Sequence, residues 1–168
     1  MPVPPHIHAV TTVHVIAVVV TYQPDTAVLE RLLAQLAPQV QYTVIVDNTE
    51  STRPVTPMLA PRQTLLHLGK NTGIGHAQNL GMAKAKQLGA THVLLMDRDS
   101  LPPAILVSHQ PQTLASVSTD TVAAIGLLCR DVRTGQTTPL IQRHGWSIRL
   151  LHAEGLVAPI PVEYIPAS

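Results

Sequence analysis

Two carboxylates stand two residues apart, directly after an apolar stretch of the chain. Asp97 and Asp99 flank Arg98 and follow the apolar residues 93–96. If the chain turns here, both carboxylates can reach one ligand, and hard oxygen ligands of this kind suit Mg²⁺ or Mn²⁺. The alternative is that both aspartates shape a turn or cap a helix before the prolines at 102 and 103. We favour the metal site because the pair follows a buried strand in an alternating strand and helix pattern.

A second polar pair, Asp47-Asn48, closes the apolar run 43–46. An ionised aspartate only accepts hydrogen bonds, so Asp47 at a strand end can accept the imide N–H of a uracil or thymine ring. The pair can equally form an Asx turn that ends the strand. These two residues alone leave both interpretations open.

The densest polar cluster is the segment 71–81, which reads NTGIGHAQNLG. Gly73 and Gly75 permit a tight turn and the close approach of a ligand, and the helix that follows offers free N–H groups to an anion. A dinucleotide fingerprint would need a third glycine at position 78, where Gln78 stands, so that motif is broken. Asn79 lies four residues beyond Gly75 and faces the same side as the turn.

The elements that position these residues alternate between strand and helix. Apolar runs predict strands at 14–21, 43–46, 64–68, 92–96 and 122–128. Helical spacing predicts helices from Asp25 or Thr26 to about Leu36, from about Gly75 to Leu88, and from Pro102 onward. This order predicts an α/β fold: a Rossmann-like, mostly parallel sheet flanked by helices. Ligands of such sheets sit beyond the carboxyl ends of the strands. Three polar clusters fall at that edge: Thr21-Tyr22, Asp47-Asn48 and Asp97 to Asp99.

The pattern weakens after about Cys129. Residues 131–135 resemble a turn, and 146–151 and 162–165 are candidate strands. The first 12 residues hold three prolines and no periodic pattern, so we interpret 1–12 as a loose lead-in and 13–168 as the folded part.

Composition excludes several classes of protein. The chain has 168 residues, 45% of them hydrophobic, and a formal net charge of +1. It therefore lacks the large excess of positive charge that is typical of nucleic-acid-binding proteins. A single cysteine excludes an internal disulfide. The apolar run 15–20 is too short to span a bilayer and lacks the flanks of a signal peptide, which predicts a cytoplasmic protein.

Taken together, these residues resemble the family-2 glycosyltransferases, the inverting sugar-nucleotide-dependent enzymes with the GT-A fold. Four elements carry the resemblance in the family's order: Val18 to Pro24, Val44 to Asn48, Asn71 to Gly81, and Leu95 to Ser100. The resemblance covers the chain from about Val13 to its end. The second and third elements look most like the bacterial rhamnosyltransferase branch, which uses dTDP-L-rhamnose.

The resemblance implies a role for each matching residue. Nucleotide binding would fall to residues on four segments: Thr21, Tyr22, Asp47, Asn48, Asn71, Gly73, Ile74, Gly75, Asn79 and Asp97. Asp47 would read the pyrimidine, and Asp97 and Asp99 would bind the divalent Mg²⁺ or Mn²⁺ that bridges the diphosphate. The implied partners are a dTDP- or UDP-linked donor and a saccharide or lipid-linked acceptor of bacterial cell-surface polysaccharide synthesis. The implied location is the cytoplasm, with peripheral association at the inner face of the membrane.

The family's catalytic base and acceptor site lie in a later segment than its donor half. Nothing after Asp99 matches that segment, so we expect the general base beyond Ser168. The expectation is that this chain is the donor-binding half of a longer enzyme, apparently truncated, and transfers little or no sugar by itself.

Two other functions stay open. Haloacid-dehalogenase-type phosphatases also place two aspartates after an apolar strand, and Asp97 would then be the nucleophile with Asp99 beside it. Their motif follows the first strand, however, whereas three strands precede it here. A non-catalytic nucleotide-binding module is the other alternative.

Overall fold

The computed structural model describes residues 13–52, 59–108, 124–126, 128, 130–131, 133–144, 147–152, 160 and 162. They fall into two compact units, which divide between Ser108 and His109. The first unit contains β1 (Val15–Thr21), α1 (Thr26–Leu36), β2 (Tyr42–Asp47), β3 (Gln63–His67), α2 (Ile74–Gln87) and β4 (His92–Asp97). The second contains β5 (Leu140–His144) and β6 (Ser147–Leu151).

The first unit is built on a four-stranded parallel sheet with the order β3-β2-β1-β4. Its central strands consist mostly of β-branched residues, which pack well on a pleated surface that is buried on both faces. All four strands and both helices fall where the apolar patterns predict them, within one or two residues. The predicted α/β, Rossmann-like arrangement is therefore confirmed.

Alternate residues of the central strand face two different helices. Val15, Ala17 and Val19 belong to the apolar cluster that contains the buried leucines of α1. The residues between them, such as Val18, pack with the α2 residues Ala77 and Ala85. Because successive side chains of a strand point to opposite faces, one helix covers each face of the sheet.

Each helix begins or ends at a residue that the sequence marks. The Asp25 carboxylate accepts hydrogen bonds from the backbone N–H groups of Ala27 (2.8 Å) and Val28 (3.2 Å), so the predicted cap of α1 is confirmed. Beyond α2, Gly89 has a φ of 83°, a left-handed conformation that ends helices and favours glycine. Neither helix in the described residues is long and apolar enough to cross a membrane.

The second unit confirms some of the elements predicted after residue 121 and corrects others. β5 and β6 pair antiparallel, and Asp131 accepts a hydrogen bond from the Gly135 N–H (2.7 Å), so the predicted turn and the strand near 147–151 are confirmed. The strand predicted at 122–128 is wrong for residues 124–126 and 128, which belong to no strand. β5 was not predicted, because its polar half has no alternating pattern. Residues 163–165 and 109–123 lie outside the described residues.

Candidate functional site

The order of the strands reverses at one point of the four-stranded sheet, between β1 and β4. From β1 the chain passes outward to β2 and β3, and α2 then carries it back to β4 on the other side of β1. In doubly wound sheets the ligand crevice lies at such a switch point, beyond the carboxyl ends of the strands. At this edge Thr21 is paired with Asp47 on one side, and Val20 with Asp97 on the other.

Asp47 lies at this edge with its side chain almost fully enclosed. Its residue exposure is 1%. Its Oδ1 accepts a hydrogen bond from the Thr49 N–H (3.1 Å), and its Oδ2 lies 2.9 Å from the His67 Nδ1 atom. These contacts hold the carboxylate in one orientation before any ligand arrives.

His67 is the residue of this site that sequence reasoning missed. It ends β3 and is paired with Asp47 across the two strands. Its Nε2 atom lies 2.7 Å from the Ser51 carbonyl oxygen, so the ring is bound at both nitrogens. In the sequence, His67 is visible only as a polar residue near the end of a third predicted strand. Its contact with Asp47 could be inferred only if β3 were known to lie next to β2.

Asn48 joins the end of β2 to the glycine-containing turn before α2. Its amide oxygen accepts hydrogen bonds from the Thr72 backbone N–H (2.8 Å) and hydroxyl (3.1 Å), and its amide nitrogen donates to the Asn71 side-chain oxygen (3.1 Å). Its own backbone N–H donates to the Thr21 carbonyl oxygen (2.8 Å). One side chain thus connects the end of β2 to the glycine turn.

The glycine turn leaves the beginning of α2 open. Asn71 accepts from the Gly73 N–H (3.0 Å), and Gly73 has a φ of 80°, which other residues rarely adopt. Among the described residues no atom lies within 4 Å of a Cβ built at Gly73 or Gly75. The helix has no side-chain cap in this part of the chain, so its first N–H groups point toward an open surface. Ile74 is also exposed.

Asp97 and Asp99 lie in a turn at the end of β4. Asp97 is half-buried and its carbonyl accepts from the Ser100 N–H (3.2 Å), whereas Asp99 is exposed. Between them, the Nη1 atom of Arg98 is buried and has no hydrogen-bond partner among the described residues.

These two carboxylates fit a divalent cation that a ligand completes. The described residues contain no group of three or more His, Cys, Asp or Glu side chains that could hold a metal. Mg²⁺ binds through one or two carboxylates together with water and substrate phosphates, so an all-protein cage is not required. Asp97 and Asp99 match that donor set.

The structure brings some of the proposed residues together and leaves others apart. One hydrogen-bonded network includes four of them: Thr21, Asn48, Asn71 and Gly73. Asp47 precedes Asn48 in the chain and contacts Thr49 and His67. Within the described residues the network does not extend to the exposed side chains of Tyr22, Asn79 and Asp99. Asp97 lies on the α2 face of the sheet and Asp47 on the α1 face, because Val93 packs with α2 and Ile45 with α1.

A small cavity at the opposite end of the sheet has none of these groups. It has a volume of about 30 Å³ and lies where β2 and β3 begin, between Val40, Tyr42, Arg62 and Gln63. Its distance from the switch point makes it a useful reference surface for binding experiments.

The comparison with curated proteins finds a partial relative. Over 88 residues the chain is 36% identical to the dTDP-rhamnosyl transferase RfbF of Shigella flexneri. The matched segment is 52% of this chain and 30% of that protein, so the chain spans less than a third of the relative. No family model and no solved structure matches the chain. The similarity supports a glycosyltransferase at the level of reaction class.

Proposed function

We propose that this chain forms the nucleotide-sugar-binding part of an inverting glycosyltransferase of the GT-A type, with dTDP-L-rhamnose as its donor. The observation that carries the proposal is the set of hydrogen bonds by which Asn48, the residue after the buried Asp47, connects the end of β2 to an open glycine turn. A sugar nucleotide needs both features, one for its base and one for its diphosphate. The partial similarity to a dTDP-rhamnosyl transferase supports the same donor.

The base and ribose bind where β1 and β2 end. The Asp47 carboxylate accepts the imide N–H of a thymine or uracil ring, since an ionised aspartate is an acceptor only. Thr21 pairs with Asp47 across the strands and closes the floor of the pocket, and the half-exposed Tyr22 follows it at the rim.

The diphosphate binds at the beginning of α2. The uncapped N–H groups of this helix favour an anion, and Gly73 and Gly75 leave space for it to approach the backbone. Asn79, one turn further along the helix, borders the same surface. Arg98 adds a guanidinium whose buried Nη1 atom would gain an acceptor from a phosphate oxygen.

Asp97 and Asp99 are the residues that would hold a divalent cation, Mg²⁺ or Mn²⁺. When bound, such an ion offsets the negative charge that develops on the departing diphosphate. The two carboxylates contribute oxygen donors, and Asp97 is positioned by the turn that its carbonyl closes with Ser100.

The donor site accounts for nucleotide-sugar binding, and the base that deprotonates the acceptor hydroxyl is not among its residues. The acceptor that we propose is a saccharide or a lipid-linked saccharide of bacterial cell-surface polysaccharide synthesis. The reaction would take place on the cytoplasmic side of the membrane, with peripheral association.

Calorimetric titration with dTDP, UDP and GDP, with and without Mn²⁺, tests the proposal. We expect metal-dependent binding of dTDP or UDP that is weakened about tenfold or more in Asp99→Ala. Asp131→Ala, in the second unit, is the matched control and should bind as the unaltered chain does. Absence of nucleotide binding together with hydrolysis of a phosphomonoester would reject the proposal in favour of a phosphatase. Binding with no transfer by the full-length enzyme would instead favour a non-catalytic module.

A further inference from the structure

We infer that His67 is a positioning residue that holds the Asp47 carboxylate in one orientation, and so makes the site prefer uracil or thymine over cytosine. This inference rests on the proposed function, since it concerns the base of the same nucleotide. His67 lies outside all four elements of the family resemblance, and its position follows from the strand order.

Both nitrogens of the His67 ring face acceptors. The Nδ1 atom lies 2.9 Å from the Asp47 Oδ2 atom, and the Nε2 atom lies 2.7 Å from the Ser51 carbonyl oxygen. A neutral imidazole has one N–H donor, whereas the protonated ring has two. The backbone carbonyl can only accept, so the Nε2 atom carries a proton.

The Asp47 carboxylate is held at both of its oxygens. Its Oδ2 atom lies 2.9 Å from the His67 Nδ1 atom, and its Oδ1 atom accepts a hydrogen bond from the Thr49 N–H. The His67 side chain is 21% exposed and the Asp47 side chain is 1% exposed, so these contacts are largely shielded from water.

An ionised Asp47 discriminates between pyrimidines by their N3 atoms. Uracil and thymine carry an N3–H that donates to a carboxylate, while the N3 of cytosine is an acceptor and is repelled. A rotated Asp47 would lose this distinction, because its oxygens would no longer face the N3 atom. By fixing the orientation of the carboxylate, His67 determines the preference without contacting the base.

Two isosteric substitutions separate the two contacts of the ring. The amide nitrogen of His67→Asn can take the place of Nδ1 and keep the hydrogen bond to Asp47. That of His67→Gln can take the place of Nε2 and keep only the bond to Ser51. Both variants lose one buried partner of the same ring, so a purely structural role would affect them alike.

The measurement is the ratio of UDP to CDP affinity by calorimetry, on variants whose circular dichroism shows that they are folded. We expect the unaltered chain to bind UDP about tenfold or more tightly than CDP. His67→Asn should keep most of that preference, and His67→Gln should reduce it to about threefold or less. Equal ratios in the unaltered chain and both variants, or equal losses in both variants, would overturn the inference.

A second measurement needs no variant to fold. Nitrogen-15 NMR of the unaltered chain should show that both ring nitrogens of His67 are hydrogen-bonded, and the chemical shifts of a freely solvated ring would contradict the inference. If the chain binds none of dTDP, UDP and CDP, the proposed function fails and the base preference fails with it. If it binds UDP tightly and His67→Gln leaves the ratio unchanged, only the inference about His67 fails.

Discussion

Asn48 shows how one buried amide can organise a site that spans two loops. Its oxygen accepts two hydrogen bonds from Thr72, and its nitrogen donates one to Asn71. The side chain is buried at 4% exposure, so removing it leaves polar groups without partners in a place that water reaches poorly. The residue holds in place the glycine turn at which we propose that the diphosphate binds.

Asn48→Ala should therefore lower the free energy of unfolding by about 1–3 kcal/mol. Urea denaturation followed by circular dichroism measures this change. Asn79→Ala is the matched control, because that side chain is exposed on α2, and it should change the stability by less than about 0.5 kcal/mol. Equal stability of the two variants would show that the Asn48 hydrogen bonds do not hold the turn.

Asp131 provides a pH-dependent prediction in the second unit. The backbone N–H groups of Arg133 (2.7 Å) and Thr134 (3.2 Å) donate to its carboxylate and lower its pKa below the usual 3.8. Because the folded form has the lower pKa, the stabilisation is fully present above the unfolded value. It is lost as the pH falls through the folded value.

Carbon-13 NMR titration of the Asp131 carboxyl should therefore give a midpoint below that of the same residue in an unfolded peptide. Asp131→Asn keeps an oxygen acceptor for the turn and removes the titration, so the hairpin signals of this variant should no longer follow pH in that range. A midpoint equal to that of the peptide would show that the turn does not bind the carboxylate.

The residue types at the site could be predicted from the sequence, whereas their partners could not. Asp47, Asn48 and Asp97 stand out because polar residues directly follow apolar strands. His67 follows a weaker strand, and its role appears only when β3 is known to lie beside β2. Partner identity depends on strand order, which local periodicity does not contain.

The helix α2 lies unusually close to the sheet because Gly81 has no side chain. A Cβ at this position would overlap with the Val18 side chain and approach the Val46 Cγ2 atom to 3.1 Å. At the beginning of the same helix, a Cβ at Gly75 meets no described atom within 4 Å. The two glycines thus lie in different surroundings: Gly81 is needed for packing, whereas we propose that Gly75 leaves space for the ligand.

Gly81→Ala should lower the free energy of unfolding by about 1–3 kcal/mol through overpacking, even though alanine favours helix. Gly75→Ala should leave stability unchanged or slightly raised and should weaken dTDP binding, because the added methyl group occupies the path to the backbone. Urea denaturation and calorimetry on both variants measure the two effects. Full dTDP affinity in Gly75→Ala would remove this glycine from the proposed anion site.

The elements of the first unit could be read from the sequence, because its strands and helices have clear apolar periods. The second unit shows the limit of such reading. Residues 124–126 are apolar and yet form no strand, since strand formation needs a neighbour to pair with. β5 forms without an alternating pattern because β6 pairs with it.

At the scale of the whole molecule, the parallel sheet explains why distant segments can form one site. Thr21, Asp47, His67 and Asp97 each end a strand, and the strand order places all four at the same edge. This edge also carries the glycine turn before α2. The fold could be predicted as α/β from the alternation of elements, but the switch point between β1 and β4 needed the structure.

The most direct test of the account is to map where dTDP binds by backbone amide NMR in the presence of Mg²⁺. The account predicts shifts at the carboxyl edge of the sheet, at Tyr22, Gly73, Gly75 and Asp99. The residues around the cavity at the opposite end, Tyr42, Arg62 and Gln63, should stay unchanged. Shifts confined to that cavity, or no shifts at saturating dTDP and Mg²⁺, would contradict the account.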